Sequence, residues 1–167
     1  MRDPNRDTRP VRAVTSEENR PDIDDIDKAI VRHLQGDGRM PYSVLGPLVG
    51  LSPAATRQRV LNLIEAGVMQ IVAVTDPTKL GFGIQAMIGF RVTGDIEAVS
   101  SQLAGMDEVE YLVITTGRFD LLAEIVATSP DQLLGTLKSI RALPGVQTTE
   151  VFTYLRLEKQ IYDWGTL

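Results

Sequence analysis

Polar and small side chains recur after Ser52, at positions that a helix would leave exposed. Arginine can donate two hydrogen bonds to guanine, and the methyl groups of alanine and threonine can contact thymine, so this set has the chemistry to contact base edges. Arg59 has other interpretations, because it can be structural or contact a phosphate. The candidate DNA contacts are Arg39, Ser52, Ala55, Thr56, Arg57, Arg59 and Asn62, with Ala55, Thr56 and Arg57 as the expected base contacts.

The stretch from Ser43 to Met69 predicts two helices joined by a tight turn, which would position these side chains. Gly50 can take the positive φ of the turn, Ser52 can cap the second helix, and Gly67 can end it. The apolar residues whose spacing predicts a buried face are Val60, Leu63 and Ile64. This is the plan of a helix-turn-helix that enters the DNA major groove, and a helical hairpin that only packs a core is the alternative.

An amphipathic helix is predicted ahead of this motif, from Asp22 to Gln35. His33 lies one position from its apolar stripe and is interpreted as a helix residue rather than a ligand.

The β-branched run from Val68 to Thr75 predicts a strand. The expected organisation is a disordered tail over 1–21, a helix-turn-helix domain over 22–75, a linker over 76–83, a second domain over 84–155 and a C-terminal tail over 156–167.

The second domain alternates strand and helix patterns in the order βαββαβ, which is typical of the ferredoxin-like fold. Gly117-Arg118 predicts a hairpin-type connection between its second and third strands. Apolar residues remain on the sheet face away from the helices, so pairing of two sheets in a dimer is expected. The predicted strands begin at Ile84, Val109, Phe119 and Val146, and the predicted helices follow Asp95 and Ser129, with Leu133, Leu134, Leu137 and Ile140 inside the second helix.

Composition limits the possible functions. The chain of 167 residues has no cysteine and one histidine, so neither a thiolate nor a histidine-based metal site is expected. No Ser-His-Asp set or phosphate-cradling loop predicts catalysis, and no cofactor is expected.

Residues 1–70 are neutral, with ten basic and ten acidic residues, whereas residues 71–167 carry seven basic and twelve acidic residues, which accounts for the net charge of −5. No stretch is long and apolar enough to span a membrane, so a soluble, cytoplasmic protein is expected.

The order of several short motifs, from Asp22 to Lys159, resembles the Lrp/AsnC family of transcriptional regulators. These motifs are Asp24-Asp25-Ile26-Asp27-x-x-Ile30, Gly38-Arg39, Gly50-Leu51-Ser52, Arg59-Val60-x-x-Leu63-x-x-x-Gly67-Val68, Asp76-Pro77-x-x-Leu80-Gly81, Gly117-x-Phe119-Asp120-Leu121-Leu122 and Leu143-Pro144-Gly145-Val146. The resemblance implies an α+β protein with an N-terminal winged helix-turn-helix and a C-terminal ferredoxin-like domain that senses a ligand. It also implies binding to double-stranded promoter DNA and a homodimer that assembles to a tetramer or octamer.

The same resemblance implies a small-molecule effector, usually an amino acid held between subunits, near a glycine-aromatic-aspartate turn. Asp120 can accept hydrogen bonds from the effector's ammonium group, or it can cap its own turn. The implied effector residues are Gly117, Arg118, Phe119 and Asp120, with Thr148, Thr149 and Glu150 as pocket walls that a neighbouring subunit could supply.

The chain departs from the family pattern at Pro41 and at Gly46-Pro47, and its second motif helix has few basic residues. Pro47 either lies inside a helix or begins a shorter helix after Gly46. One alternative function is a sensing module that does not bind DNA. Another is a sirohaem-decarboxylase-like enzyme, whose relatives are expected to use a histidine in the haem-facing domain, whereas His33 lies in the first predicted helix.

Overall fold

The computed structural model describes residues 21–161, which form two compact units that divide between Ala73 and Val74. The predicted tail over residues 1–20 and the predicted tail segment over 162–167 lie outside the described residues. Residues 156–161 have no regular secondary structure. A 3₁₀ turn over Pro77–Leu80 occupies the expected linker.

The first unit consists of three helices: α1 (Asp25–Gly36), α2 (Tyr42–Leu48) and α3 (Pro53–Glu65). A capping box begins α1, because the side chain of Asp24 accepts from the backbone N–H of Asp27 and the side chain of Asp27 accepts from the backbone N–H of Asp24. The buried apolar side chains that hold the three helices together are Ile30, Leu34, Leu45, Val60 and Leu63.

The turn between α2 and α3 forms as predicted. Gly50 has a φ of 73°, and Leu51 N–H donates to the carbonyl of Gly46 at 2.8 Å. Ser52 caps α3 by accepting from Ala55 N–H at 3.2 Å. Pro47 lies inside the seven-residue α2, so the interior position is the correct alternative.

The buried face of α3 and the segment that follows this helix differ from the sequence expectations. Ile64 is exposed, because the buried face of α3 instead follows Thr56, Val60 and Leu63. The segment from Val68 to Thr75 does not form a strand, although its composition favours one. A strand needs a partner for its backbone groups, and no segment among residues 21–161 pairs with it.

The second unit is an antiparallel sheet of four strands in the order β2-β3-β1-β4, with two helices against one face. The βαββαβ order matches the ferredoxin-like prediction. Its elements are β1 (Ile84–Val92), α4 (Ile96–Ala104), β2 (Val109–Ile114), β3 (Leu121–Ala127), α5 (Pro130–Arg141) and β4 (Val146–Thr153). The apolar core between sheet and helices contains Ile88, Phe90, Leu103, Leu121, Ile125 and Ile140.

The expected two-residue hairpin at Gly117-Arg118 is a loop of six residues, 115–120. Ile114 pairs with Leu121 at the last position of the ladder, so β2 ends earlier and β3 begins later than predicted. Leu134 was expected inside but is exposed on α5. The sheet face away from the helices exposes Tyr111 and Phe152, which leaves apolar surface there.

Candidate nucleic-acid interface and ligand hollow

The exposed face of α3 carries the first group of candidate side chains. Ala55, Arg57 and Asn62 are exposed. Arg57 forms no ion pair with any residue between 21 and 161, so its guanidinium group is available to a ligand. The amide of Gln58 donates through Nε2 to Asn62 Oδ1 at 2.9 Å, which joins two polar side chains one helical turn apart.

Thr56 is not available to a DNA base, which corrects the expectation for this residue. Its side chain is fully buried, with 0 % exposure, and its hydroxyl donates to the carbonyl of Ser52 at 2.9 Å. Gly46 makes this packing possible, because a Cβ there would lie 3.1 Å from the hydroxyl oxygen of Thr56. Thr56 therefore joins α3 to α2.

Arg59 is held by two carboxylates of the α1 capping box. Its Nη1 donates to Asp24 Oδ2 and to Asp27 Oδ1, both at 2.8 Å. These contacts raise the pKa of Arg59 above its ordinary value. The backbone N–H of Asp27, followed by the Arg59 guanidinium, lowers the pKa of Asp24 below its ordinary value. Of the two roles considered for Arg59, this geometry supports the structural one.

Ser52 and Arg39 lie on either side of α2. The Ser52 side chain is used as the helix cap, yet it remains exposed at the start of α3. Arg39 is exposed, and its backbone N–H is fixed by Asp37 Oδ1 at 2.9 Å. Its side chain forms no ion pair within residues 21–161, which leaves it free to contact a phosphate.

The second unit contains an open hollow of about 640 Å³. The strand β1, the loop over residues 115–120 and the strand β4 of one chain contribute to it. The lining residues are Arg91, Arg118, Phe119, Thr148, Thr149 and Glu150. Thr148, Thr149 and Glu150 therefore reach the hollow from the same chain as Arg118 and Phe119, without a neighbouring subunit.

Gly89 of β1 positions the aromatic side of the hollow. A Cβ at Gly89 would lie 2.6 Å from the Phe119 ring, so only glycine lets this ring lie flat on the strand. The hydroxyl of Thr115 donates to the carbonyl of Phe119 at 2.6 Å, and Asp120 N–H donates to the carbonyl of Phe90 at 2.8 Å. These bonds fix the loop against the sheet.

Asp120 caps the backbone instead of lining the hollow. Its Oδ2 accepts from Val92 N–H at 2.8 Å, beside the irregularity where β1 shifts register against β4. Its Oδ1 lies 3.5 Å from Arg91 Nη1. Asp120 therefore accepts from a backbone N–H of β1 and not of its own turn, which differs from the predicted turn cap. Gly117 is exposed but does not line the hollow.

Arg91 is the hollow residue that the sequence interpretation missed. Its Nη1 donates to the carbonyl of Arg118 at 2.9 Å, so it holds the loop while its charge faces the hollow. Arg118 pairs with Glu150 at 2.8 Å and lies over the Phe119 ring, with its guanidinium carbon 5.3 Å from the centroid. The available signal was a charged residue in the period-two row of β1 that alternates with the buried residues.

In the part of the chain that the structure describes, no three histidine, acidic or cysteine side chains lie together where they could hold a metal ion. Over the same residues, none of the helices combines the length and apolarity that crossing a bilayer requires.

Known proteins resemble both units. Residues 23–64 match the AsnC-type helix-turn-helix domain, and residues 84–167 match a C-terminal dimeric alpha+beta barrel domain. The chain is 32% identical over 140 residues to the HTH-type transcriptional regulator FL11 of Pyrococcus horikoshii, covering 83% of this chain and 93% of that protein.

Solved structures show the same architecture. AsnC of E. coli superposes with a TM-score of 0.74 at 26% identity, covering 84% of this chain and 97% of that chain. A Neisseria meningitidis transcriptional regulator in complex with L-Met also gives a TM-score of 0.74, at 25% identity, covering 84% and 95%.

The helix-turn-helix and the α+β unit together define a DNA-binding transcriptional regulator of the kind that forms dimers. The chain belongs to the Lrp/AsnC family.

Proposed function

We propose that this regulator binds promoter DNA through α3 and that an amino acid in the hollow changes this binding or the assembly of the protein. The observation that carries the proposal is the Arg118–Glu150 ion pair, with its 2.8 Å separation, in the wall of an open hollow. An amino acid presents a carboxylate to the guanidinium and an ammonium group to the carboxylate, so one ligand can replace both partners of the pair.

Neighbouring side chains fit the same class of ligand. Arg91 adds a second guanidinium group, and the hydroxyl of Thr148 can donate to a carboxylate or accept from an ammonium group. The hydroxyl of Thr149 instead accepts from Arg141 Nε of α5 at 2.8 Å. Phe119 supplies an apolar wall for a ligand side chain. The complex of the Neisseria meningitidis regulator with L-Met supports an amino acid as the effector.

For the DNA interface, the exposed Ala55 and Arg57 are the proposed base contacts from the original set. Arg39 and Ser52 flank them as contacts to the sugar-phosphate backbone, and Asn62 lies on the same exposed face of α3. Within residues 21–73 the unit has only Lys28 and Arg32 besides the arginines named above, and α3 has only Arg57 and Arg59. Sequence-independent binding should therefore be weak, and specific contacts should account for much of the affinity.

The exposed apolar face of the sheet is the proposed dimer surface, where Tyr111 and Phe152 of two copies would be covered. Assembly of such dimers to tetramers or octamers is part of the proposal. Because Phe119 of the hollow packs edge-on against Phe152, with ring centroids 6.1 Å apart, a ligand in the hollow lies close to this surface.

The experiment measures binding of the purified chain to its own upstream DNA by fluorescence anisotropy, with and without each of the twenty amino acids. At least one amino acid should change the dissociation constant about fivefold or more, which is the usual range of allosteric coupling. Thr148→Val should lose this response and retain DNA binding. Thr153→Val, on the same strand but outside the hollow, should respond like the wild type.

Sedimentation velocity with the same amino acids follows assembly in parallel. If no amino acid alters either DNA affinity or assembly of the wild type, the proposal of amino-acid sensing is wrong.

A further inference from the structure

The centre of the exposed face of α3 is occupied by Gln58. It is two residues from both Thr56 and Val60, which are fully buried, and two residues correspond to about 200° of rotation on an α-helix. Gln58 therefore points almost directly away from the core. Arg57 is adjacent to the buried Thr56 and lies on the flank of the exposed face, about 100° from it.

The neighbours of Gln58 favour a close approach to DNA. Ala54, one turn earlier on the same face, is small and exposed, so it leaves room for the first half of α3 to enter a groove. In helix-turn-helix proteins the first half of the second helix supplies the contacts to base edges. Gln58 is the sixth residue of a helix that begins at Pro53, which places it within this half.

The amide of Gln58 is oriented by a second side chain. Its Nε2 donates one hydrogen to Asn62 Oδ1 at 2.9 Å. This bond uses one of the two amide hydrogens and leaves the other hydrogen and Oε1 without a partner in the described chain. A free donor and a free acceptor on one amide match adenine, because N7 accepts and the N6 amino group donates in the major groove.

On the basis of the proposed DNA binding through α3, we propose that Gln58 determines specificity for an adenine in the DNA site and that Asn62 is its positioning residue. Gln58 contacts the base edge, and Asn62 limits the rotation of its amide before DNA arrives. Such fixed side chains lose less conformational freedom on binding, so they discriminate more sharply between bases. The DNA site should thus contain an A·T pair at a position that depends on Gln58.

The test selects bound sequences from a pool of randomised DNA duplexes, using the full chain in the presence of the twenty amino acids. The wild type should enrich adenine at one position of each half-site, and Gln58→Ala should lose the preference at that position only. At the selected site, Gln58→Ala should weaken binding by about 5- to 150-fold, the cost of losing one two-bond base contact. Because glutamine carries no charge, the dependence of affinity on salt should not change.

Two further variants test whether Asn62 acts through Gln58. Asn62→Ala should reduce the same adenine preference, and the Gln58→Ala/Asn62→Ala double variant should bind like Gln58→Ala alone, since Asn62 acts through Gln58. Gln102→Ala, an exposed glutamine on α4 of the other unit, is the matched control and should select the wild-type sequences.

A wild type that enriches no sequence would contradict the proposed DNA binding itself. A wild type that enriches a site, with the same base preferences as Gln58→Ala, would overturn only the role of Gln58. A uniform loss of affinity for all duplexes in Gln58→Ala would also overturn it, because a base contact must affect one position more than the others. An Asn62→Ala effect that adds independently to that of Gln58→Ala would contradict the positioning role.

Discussion

Arg59 of α3 donates through Nη1 to Asp27 Oδ1 of α1 at 2.8 Å, while Asp27 itself belongs to the capping box that begins α1. The start of the first helix is thereby tied to the middle of α3. The Asp27 side chain is only 14% exposed and that of Arg59 33%, so this pair is better shielded from water than most surface ion pairs.

The Arg59–Asp27 pair should stabilise the helical unit. A double-mutant cycle with Arg59→Gln and Asp27→Asn, measured by urea unfolding, should give a coupling free energy of about 0.5–1 kcal/mol. The Arg118–Glu150 pair has the same 2.8 Å separation but side chains that are 77% and 41% exposed, so its coupling should be smaller. A coupling free energy for Arg118–Glu150 that equals or exceeds that of Arg59–Asp27 would contradict this account.

Acid should weaken the contact between Arg59 and Asp24, the other carboxylate that holds this arginine. The pKa of Asp24 is lowered in the folded chain from its ordinary value of 3.8, first by the Asp27 N–H and then by Arg59. A carboxyl whose folded pKa is depressed contributes stability at pH values above 3.8, and this contribution is lost as the pH falls through the lower folded value. The free energy of unfolding should therefore fall below about pH 4 less steeply in Asp24→Asn than in the wild type. Urea unfolding across this pH range measures both profiles, and parallel profiles for Asp24→Asn and the wild type would contradict this role of Asp24.

Gly46 should be required for the turn between α2 and α3. A Cβ there would lie 2.7 Å from the carbonyl oxygen of Leu51, which is backbone and cannot move away easily. Gly46→Ala should lower the free energy of unfolding by about 1–2 kcal/mol, since overpacking exceeds the gain of about 1 kcal/mol from better helix propensity. Gly36→Ala at the end of α1 meets no atom within 4 Å and should be neutral or stabilising. A stable Gly46→Ala protein would show that the turn can widen.

Arg57 should contribute to sequence-specific binding. Its exposed guanidinium has no ion-pair partner among residues 21–161, so Arg57→Ala should cost about 1–3 kcal/mol at a specific site and relax the preference for guanine there. Titration of labelled duplexes by fluorescence anisotropy measures both effects. Arg156→Ala removes a guanidinium that pairs with Glu158 in the other unit, and it should bind DNA like the wild type.

The features that sequence predicted well depend on local chemistry. Gly50 and Ser52 specify the turn and the start of α3 through their own φ angle and side chain, so no distant residue is needed. The same holds for Asp95, whose side chain accepts from Ala98 N–H at the start of α4. Apolar periodicity likewise predicted the order of the strands and helices in the second unit.

The features that sequence missed depend on distant partners. The run from Val68 to Thr75 has strand-like composition, but a strand also requires a neighbour, and periodicity does not show whether one exists. Thr56 has a hydroxyl suited to a base contact, yet the close approach of Gly46 buries it. Arg91 and Glu150 meet at the hollow only because β1 and β4 pair, although 59 residues separate them in the sequence.

The central claim, that α3 makes this chain a sequence-specific DNA-binding regulator, is tested most directly by comparing two duplexes in one titration. One is the chain's own upstream DNA, and the other is a scrambled duplex of the same composition, both at fixed salt with the amino acids present. The account predicts binding to the upstream DNA about a thousandfold tighter, the lower end of specific recognition. Equal affinity for the two duplexes would contradict it.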